Sequence, residues 1–260
     1  MLVLLPPSEG KAVPTSGGAV DLATLSAPAL TPLREKVLDA LVEVSARPEA
    51  ARVLGLGRTV ADQAEWNVRA RTAPADTAAR VYSGVLHTAA GLAALTPAAR
   101  ARADRTVRIV SGLWGVVTPA DRIPAYRLAM ATDLPGIGPL AAAWRDELGA
   151  VLDAQAAGNL VVDCRSTDYL AAWHPPRSAD WVRVRVVREA AGARTVVSHG
   201  AKHTRGLLVR HLLARRGAEP ADAAALAAVA RQLVGGDVLG VELEPPRAVG
   251  RGRVLTLVTR

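Results

Sequence analysis

VRVRVVREAAGARTVVSH, residues 182–199, carries two β-branched runs separated by an Ala-Ala-Gly turn. Valine alternates with arginine in the first run, the period-two pattern of a half-buried strand. Together the two runs predict an antiparallel hairpin. The other apolar runs of the chain are arranged differently. LVLL (2–5, stopped by Pro6-Pro7), VRIVSG (107–112) and NLVVDC (159–164) are short and continuously apolar, as buried strands are. Helical pattern fills most of 31–104, with breaks near Pro48, Gly55–Gly57, Pro74 and Pro97. Helix is also predicted from Pro139 to about Ala157, over 200–216 and over 220–234, and DVLGVEL and RVLTLVT close the chain as strands. Early alternation of strand and helix, followed by antiparallel pairing, predicts an α/β (α+β) fold: a mixed β-sheet surrounded by helices. No repeat, low-complexity tract or linker interrupts 1–260, so a single domain is expected.

Charge is as unevenly spread as the strands. The chain has 260 residues, half of them hydrophobic, with no phenylalanine and a formal charge of +8. It can bury a substantial core and is not disordered. Residues 181–216 hold eight arginines, one lysine and one glutamate, which accounts for the whole excess. Such a segment suits anionic partners, nucleic acid among them. The lone Cys164 excludes an internal disulfide, and as the end of a buried strand it reads as a packed thiol. The opening MLVLLPPSEGK has no basic leader, and no apolar run approaches the ~20 residues of a membrane span. No membrane partner is expected, and a cytoplasmic location is.

Four loops carry side chains able to do chemistry. In PPSEGK, just past the first strand, Ser8, Glu9 and Lys11 lie where ligands gather in parallel sheets. The segment is not a phosphate-binding GxxxxGK loop, so no nucleotide triphosphate follows from it. SGLWGVVTPADRIPAYRLAM (111–130) bends at its glycines and prolines, which makes Ser111, Asp121, Tyr126 and Arg127 available to a site.

In HGAKHTRGLLVRHLLARR (199–216), ~100° per residue puts Lys202, Arg205, Gly206, Val209, Leu212 and Leu213 on one helical face. Two cations on an apolar stripe, at a helix N-terminus, demand an anion. That anion is either a protein carboxylate such as Glu9 or Asp121, or a bound phosphate or carboxylate ligand. Gly206 would let a second backbone or a ligand approach closely. Arg210, Arg215 and Arg216 fall off the stripe. His199 and His203 have the four-residue spacing of metal pairs but lack a third ligand, so neither metal nor cofactor is expected.

The fourth loop is DLPGIGPLAAAW (133–144). LPGIGP resembles the hairpin of helix-hairpin-helix motifs, in which a glycine turn holds a DNA phosphodiester. On that reading Gly136, Ile137, Gly138, Arg145 and Arg210 touch DNA, and an element spanning about 124–150 takes its first helix from YRLAMATD.

Taken in order, the loop ending in Lys11, YSGVL (82–86), SGLWGVVTPADRIPAYRLAM, STDY (166–169) and AKHTRGLLVR (201–210) resemble the YaaA family of peroxide-stress proteins over nearly the full chain. The resemblance implies a cytoplasmic protein of the hydrogen-peroxide response that limits iron-mediated damage, and DNA binding through a helix-hairpin-helix element. The motif positions it marks are Lys11, Tyr82, Gly84, Ser111, Gly112, Gly115, Pro119, Asp121, Tyr126, Arg127, Tyr169, Lys202, Arg205 and Gly206. Trp114, Thr118 and Ala129 depart from the family's usual tyrosine, basic residue and glutamate.

Two functions are then expected in competition. The first is non-sequence-specific DNA binding through phosphate contacts. The second is an enzyme for a small anionic, nucleotide- or base-like substrate. There Lys11, Ser111, Arg127, Lys202, Arg205 and Gly206 would line one cleft, with Glu9 or Asp121 moving the proton and Tyr126 or Ser8 orienting.

Overall fold

A computed structural model describes residues 1–190, 193–196, 199–245 and 252–260, with Val196 and His199 described in backbone only. In chain order its principal elements are β1 (Leu2–Leu5), α1 (Thr31–Ser45), α2 (Val85–Ala90), α3 (Pro97–Thr106), β2 (Val107–Ser111) and β3 (Gly115–Val117). They continue with α4 (Arg145–Ala156), β4 (Leu160–Asp163), a single turn α5 (Thr167–Leu170), β5 (Asp180–Ala190) and β6 (Ala193–Val196). The last are α6 (His199–Ala214), α7 (Ala223–Ala230), β7 (Val238–Leu243) and β8 (Arg253–Thr259).

Eight strands form one mixed sheet in the order β7-β8-β5-β4-β1-β2-β3, with β6 paired to β5. The continuously apolar strands occupy its middle. β1 runs parallel to β2 (Val3 opposite Val107) and to β4 (Val3 opposite Val162), and all four residues of β1 and of β4 are buried. Strands buried on both faces need apolar residues at every position, which is what LVLL and LVVD supply. The hairpin predicted from 182–199 is present as antiparallel β5–β6 (Val196 opposite Val187). Its turn, residues 191–192, lies outside the described residues. The late strands are less antiparallel than expected: β8 joins β5 in parallel, and only β7 returns antiparallel to β8.

One hydrophobic core runs from Leu2 to Leu257. The late helix α6 packs on α2, α3 and β5. Gly206 permits that packing, because a Cβ there would sit 2.4 Å from the Leu86 carbonyl oxygen. Its close neighbour is therefore a backbone.

This topology fixes where a site can form. The chain leaves β1 for β2 on one side, then crosses back to β4 on the other. Ligands of such sheets lie beyond the strands' carboxyl ends at the reversal. Here that means the loops after β1, β2, β4 and the exposed continuation of β5.

Candidate functional site

Two clusters of polar side chains occupy that edge, one on either side of α5. The first is built on the loop after β1. Ser8 is buried and spent on the backbone: its hydroxyl donates to the Gly10 carbonyl (2.6 Å) and accepts from the Gly84 amide (2.6 Å). It pegs the loop to YSGVL. Lys11 forms a β-bridge with Tyr82 and turns its ammonium inward. Nζ donates to the Ser8 carbonyl at 2.6 Å and lies 4.3 Å from the ring centroid of Tyr126 and 5.6 Å from that of Tyr82. Although the residue as a whole is partly accessible, burial of the amine lowers its pKa to about 7. Nearby Arg127 lowers it further, against a partial offset from Glu9.

Beneath the lysine a chain of hydroxyls runs Tyr82–Tyr126 (2.8 Å) and Tyr126–Ser111 (2.7 Å). Ser111 Oγ also accepts from the Leu113 and Trp114 amides, which accounts for the serine at the head of the glycine loop. Trp114 is fully buried and packs edge-to-face on Tyr126, with centroids 5.8 Å apart. Burial raises the pKa of both phenols, so they are neutral donors at ordinary pH. Arg127 reaches back to donate to the Glu9 carbonyl (2.6 Å) and stands 3.7 Å from the Glu9 carboxylate, whose side chain is 79% exposed.

Two members of this cluster were not foreseen from sequence. The buried Asn67 side chain brackets Arg127, accepting from its amide (2.7 Å) and donating to its carbonyl (2.9 Å). His87 hydrogen-bonds the Pro6 carbonyl through Nε2 (3.0 Å), while Nδ1 is buried without a partner. Burial lowers its pKa to about 4, so the ring is neutral. The only sequence hint was its place directly after YSGVL.

Asp121 does not belong to this cluster. Its carboxylate accepts from the Ser26 amide (2.8 Å), the Ser26 hydroxyl and the Thr118 amide (2.7 Å). That arrangement ties the loop after β3 to the chain before α1. The carboxylate expected as a proton-transfer candidate is thus bound to the backbone of Ser26 and Thr118 and to the Ser26 hydroxyl. Arg34, fully buried beside it, donates to the carbonyls of Ser26, Trp114 and Val116.

The second cluster lines a cavity of about 470 Å³ beyond β4 and β5, bounded by Asp163, Arg165, Arg183, Arg185, Lys202 and Arg205. Asp163 is consumed locally. Arg165 grips it through two nitrogens (2.9 and 2.7 Å), and the Trp181 indole donates to it at 3.0 Å. Both charged side chains of this pair are essentially unexposed. Arg185 is held by Thr256 (2.8 Å) and Glu244 (3.0 Å). Arg205 donates from Nε to the Val184 carbonyl (3.0 Å). Nε of Arg183 is buried without a hydrogen-bond partner.

Lys202 departs from its expected phase. It is exposed at the rim, although Gly206, Val209 and Leu213 of the same helical face are buried. Arg205 is half-buried on the cavity wall. Lys11 and Arg127 belong to the first cluster, and Lys202 and Arg205 line the cavity of the second. The single turn α5 touches both: Arg165 donates to the Tyr169 carbonyl (3.1 Å), and the Tyr169 phenol is influenced by Tyr126 and Glu9. Cys164, at the end of β4, is fully buried, and burial raises its thiol pKa to about 12, as a packed cysteine requires.

The structure does not show the helix-hairpin-helix element expected over 124–150. Helix does follow Pro139, but residues 124–132 are not helical. The main chain at Arg127 is committed to Asn67, which holds YRL extended. LPGIGP is instead the tip of a small β-hairpin, Asp133–Leu134 against Gly138–Pro139. Gly136 (φ 84°) and Gly138 (φ 88°) take the left-handed backbone that such a tip needs. Ile137 packs against the core, and Arg145 and Arg210 are exposed.

Among the described residues, no group of three His, Cys, Asp or Glu side chains is placed to hold a metal ion, and no helix is long and apolar enough to cross a membrane. The side chain of His199 lies outside the described residues.

Comparison with known proteins assigns these motifs to a family. The family model described as "Peroxide stress protein YaaA" matches residues 1–230. A UPF0246 protein of Streptomyces coelicolor is 45% identical, covering 96% of this chain and 95% of its own length. A UPF0246 protein of Corynebacterium efficiens is 38% identical over 99% of this chain and its full length. A third, from Burkholderia ambifaria, is 31% identical over 61% of this chain. The chain belongs to the YaaA family of peroxide stress proteins.

Proposed function

We propose that this YaaA-family chain acts in the cytoplasm during peroxide stress by binding a small phosphate-bearing ligand of nucleotide type in the cavity beyond β4 and β5. One observation carries the reading: five cations line about 470 Å³ of concave space, and once Arg165 is paired with Asp163 and Arg185 with Glu244, Arg183, Lys202 and Arg205 make no ion pair among the described residues. Positive charge left without an acid favours an anionic guest. Concavity favours a small guest over a duplex, which needs an extended basic face. In this reading Arg183, Lys202 and Arg205 contact the phosphate, and the N-terminus of α6 adds to the positive potential. A thermal-shift series with inorganic phosphate, mononucleotides and a short DNA duplex tests it. Mononucleotides should raise the Tm of the wild type, and Arg205→Met with Lys202→Ala should abolish the rise. Stabilisation by duplex alone, or a nucleotide effect untouched by the double variant, rejects the proposal.

DNA binding remains a second reading on one specific observation, the exposed two-glycine tip at 136–138 beside Arg145. Backbone amides at such a tip suit a phosphodiester oxygen. Binding there should weaken steeply with salt and should be lost on replacing Gly136 and Gly138 with alanine.

A further inference from the structure

The chain has only three lysines among its 32 basic residues. Lys36 and Lys202 are exposed, and Lys11 alone turns its amine inward. A guanidinium is charged at any ordinary pH, whereas a buried amine can lose its proton and become a nucleophile. The surroundings of Lys11 favour the neutral form. Among the described residues its amine donates to one acceptor, the Ser8 carbonyl, and it rests over the rings of Tyr126 and Tyr82. Other groups acting on it are the Arg127 guanidinium, the neutral His87 ring and Glu9. Glu9, the one carboxylate of the set, is 79% exposed and stands 3.7 Å from Arg127. It can swing into solvent and leave Arg127 open to another carboxylate.

The geometry points to Lys11 as an imine-forming lysine: its amine condenses with the carbonyl of a small 2-oxo acid, while Arg127 takes the acid's carboxylate in place of Glu9. Nζ adds to the carbonyl carbon, forming a C–N bond as the carbonyl π pair moves to oxygen. The resulting carbinolamine loses that oxygen as water, with both hydrogens of the original amine, and the C=N bond closes. No oxidant or reductant is required, and protons balance overall. Ser8, Tyr82 and Asn67 act as positioning residues. Ser8 and Tyr82 hold the lysine loop, and Asn67 holds the main chain of Arg127. With a pKa of about 7, half of the Lys11 amines are neutral at pH 7, against on the order of one in two thousand for an ordinary lysine.

Reductive trapping on the intact chain tests this directly. The protein is incubated at pH 7 with pyruvate and cyanoborohydride, and in parallel with acetaldehyde, and the three lysine-containing peptides are quantified by mass spectrometry. Pyruvate adducts should form at Lys11 at least about tenfold faster than at Lys36 or Lys202, and Lys11→Arg should remove them. The preference for Lys11 should be several-fold greater with pyruvate than with acetaldehyde, and Arg127→Met should erase that difference. Equal labelling of the three lysines, protection of Lys11, or no preference for the carboxylate-bearing probe overturns the inference. The wild-type comparison of two probes decides even if a variant fails to fold. Neither outcome bears on the arginine cavity, whose residues are not involved.

Discussion

The two clusters on the carboxyl edge of the sheet handle positive charge in opposite ways. Around Lys11 there are two cations, and the amine is drawn in over aromatic rings until it approaches neutrality at pH 7. Around the cavity beyond β5 there are five, four of them arginines, and backbone carbonyls, Thr256, Glu244 and Asp163 hold three of these. The difference follows from the side chains. A compact ammonium shifts readily when desolvated, while a delocalised guanidinium does not. One edge of one sheet thus carries both a desolvated amine and a cluster of guanidinium groups.

The largest effect is expected at Asp163. Asp163→Ala leaves Arg165 buried without its partner and strips the Trp181 indole of its acceptor. Loss of one member of a buried pair costs about 3–5 kcal/mol, and urea denaturation should show that loss. A cost below about 1 kcal/mol would mean that the pair does not brace the cavity wall.

A smaller effect sharpens the other half. The folded pKa of Lys11, about 7, lies below the ordinary lysine value, so between pH 7 and about 10 the unfolded chain binds more protons. Stability contributed by this group therefore rises with pH across that window and is lost as pH falls toward 7. The slope is at most about 1.4 kcal/mol per pH unit. Chemical denaturation at several pH values should show a steeper rise in the wild type than in Lys11→Met. Parallel curves would mean that the amine is not desolvated.

The smallest effect belongs to Lys202. Because its side chain is exposed and makes no described hydrogen bond or ion pair, Lys202→Ala should leave Tm within the change produced by ~0.5 kcal/mol. A larger loss in the absence of ligand would place the ammonium in a structural role and weaken the contrast between the clusters.

Much of this edge was legible beforehand. LVLL, VRIVSG and NLVVDC announced the central strands by their unbroken apolar runs, and the glycine loop after β2 marked Ser111, Tyr126 and Arg127. What misled was reading side chains without their distant partners. Asp121 has the chemistry of a proton carrier, yet its oxygens belong to Ser26, 95 residues away. Asn67 and His87 sit in unremarkable helical stretches and acquire their roles only through Arg127 and Pro6. The YRLAMATD segment has a passable helical pattern, but hydrogen bonds to Asn67 outweigh that weak local preference. Helical phase placed Arg205 on the cavity wall and Val209, Leu212 and Leu213 in the core, but Lys202, in the first turn of the helix, is exposed despite sharing their face.

By itself the sequence determined the strands, the hairpin after residue 182, the concentration of charge in 181–216 and membership of the family, because apolar period, turn residues and motif order are local properties of the chain. Only the tertiary structure decided that Lys11 is the lysine whose amine is desolvated, that Lys202 is left exposed, and that the Asp121 carboxylate is bound to backbone. Desolvation and pairing depend on which remote groups meet in space, and a linear order of residues does not contain that meeting.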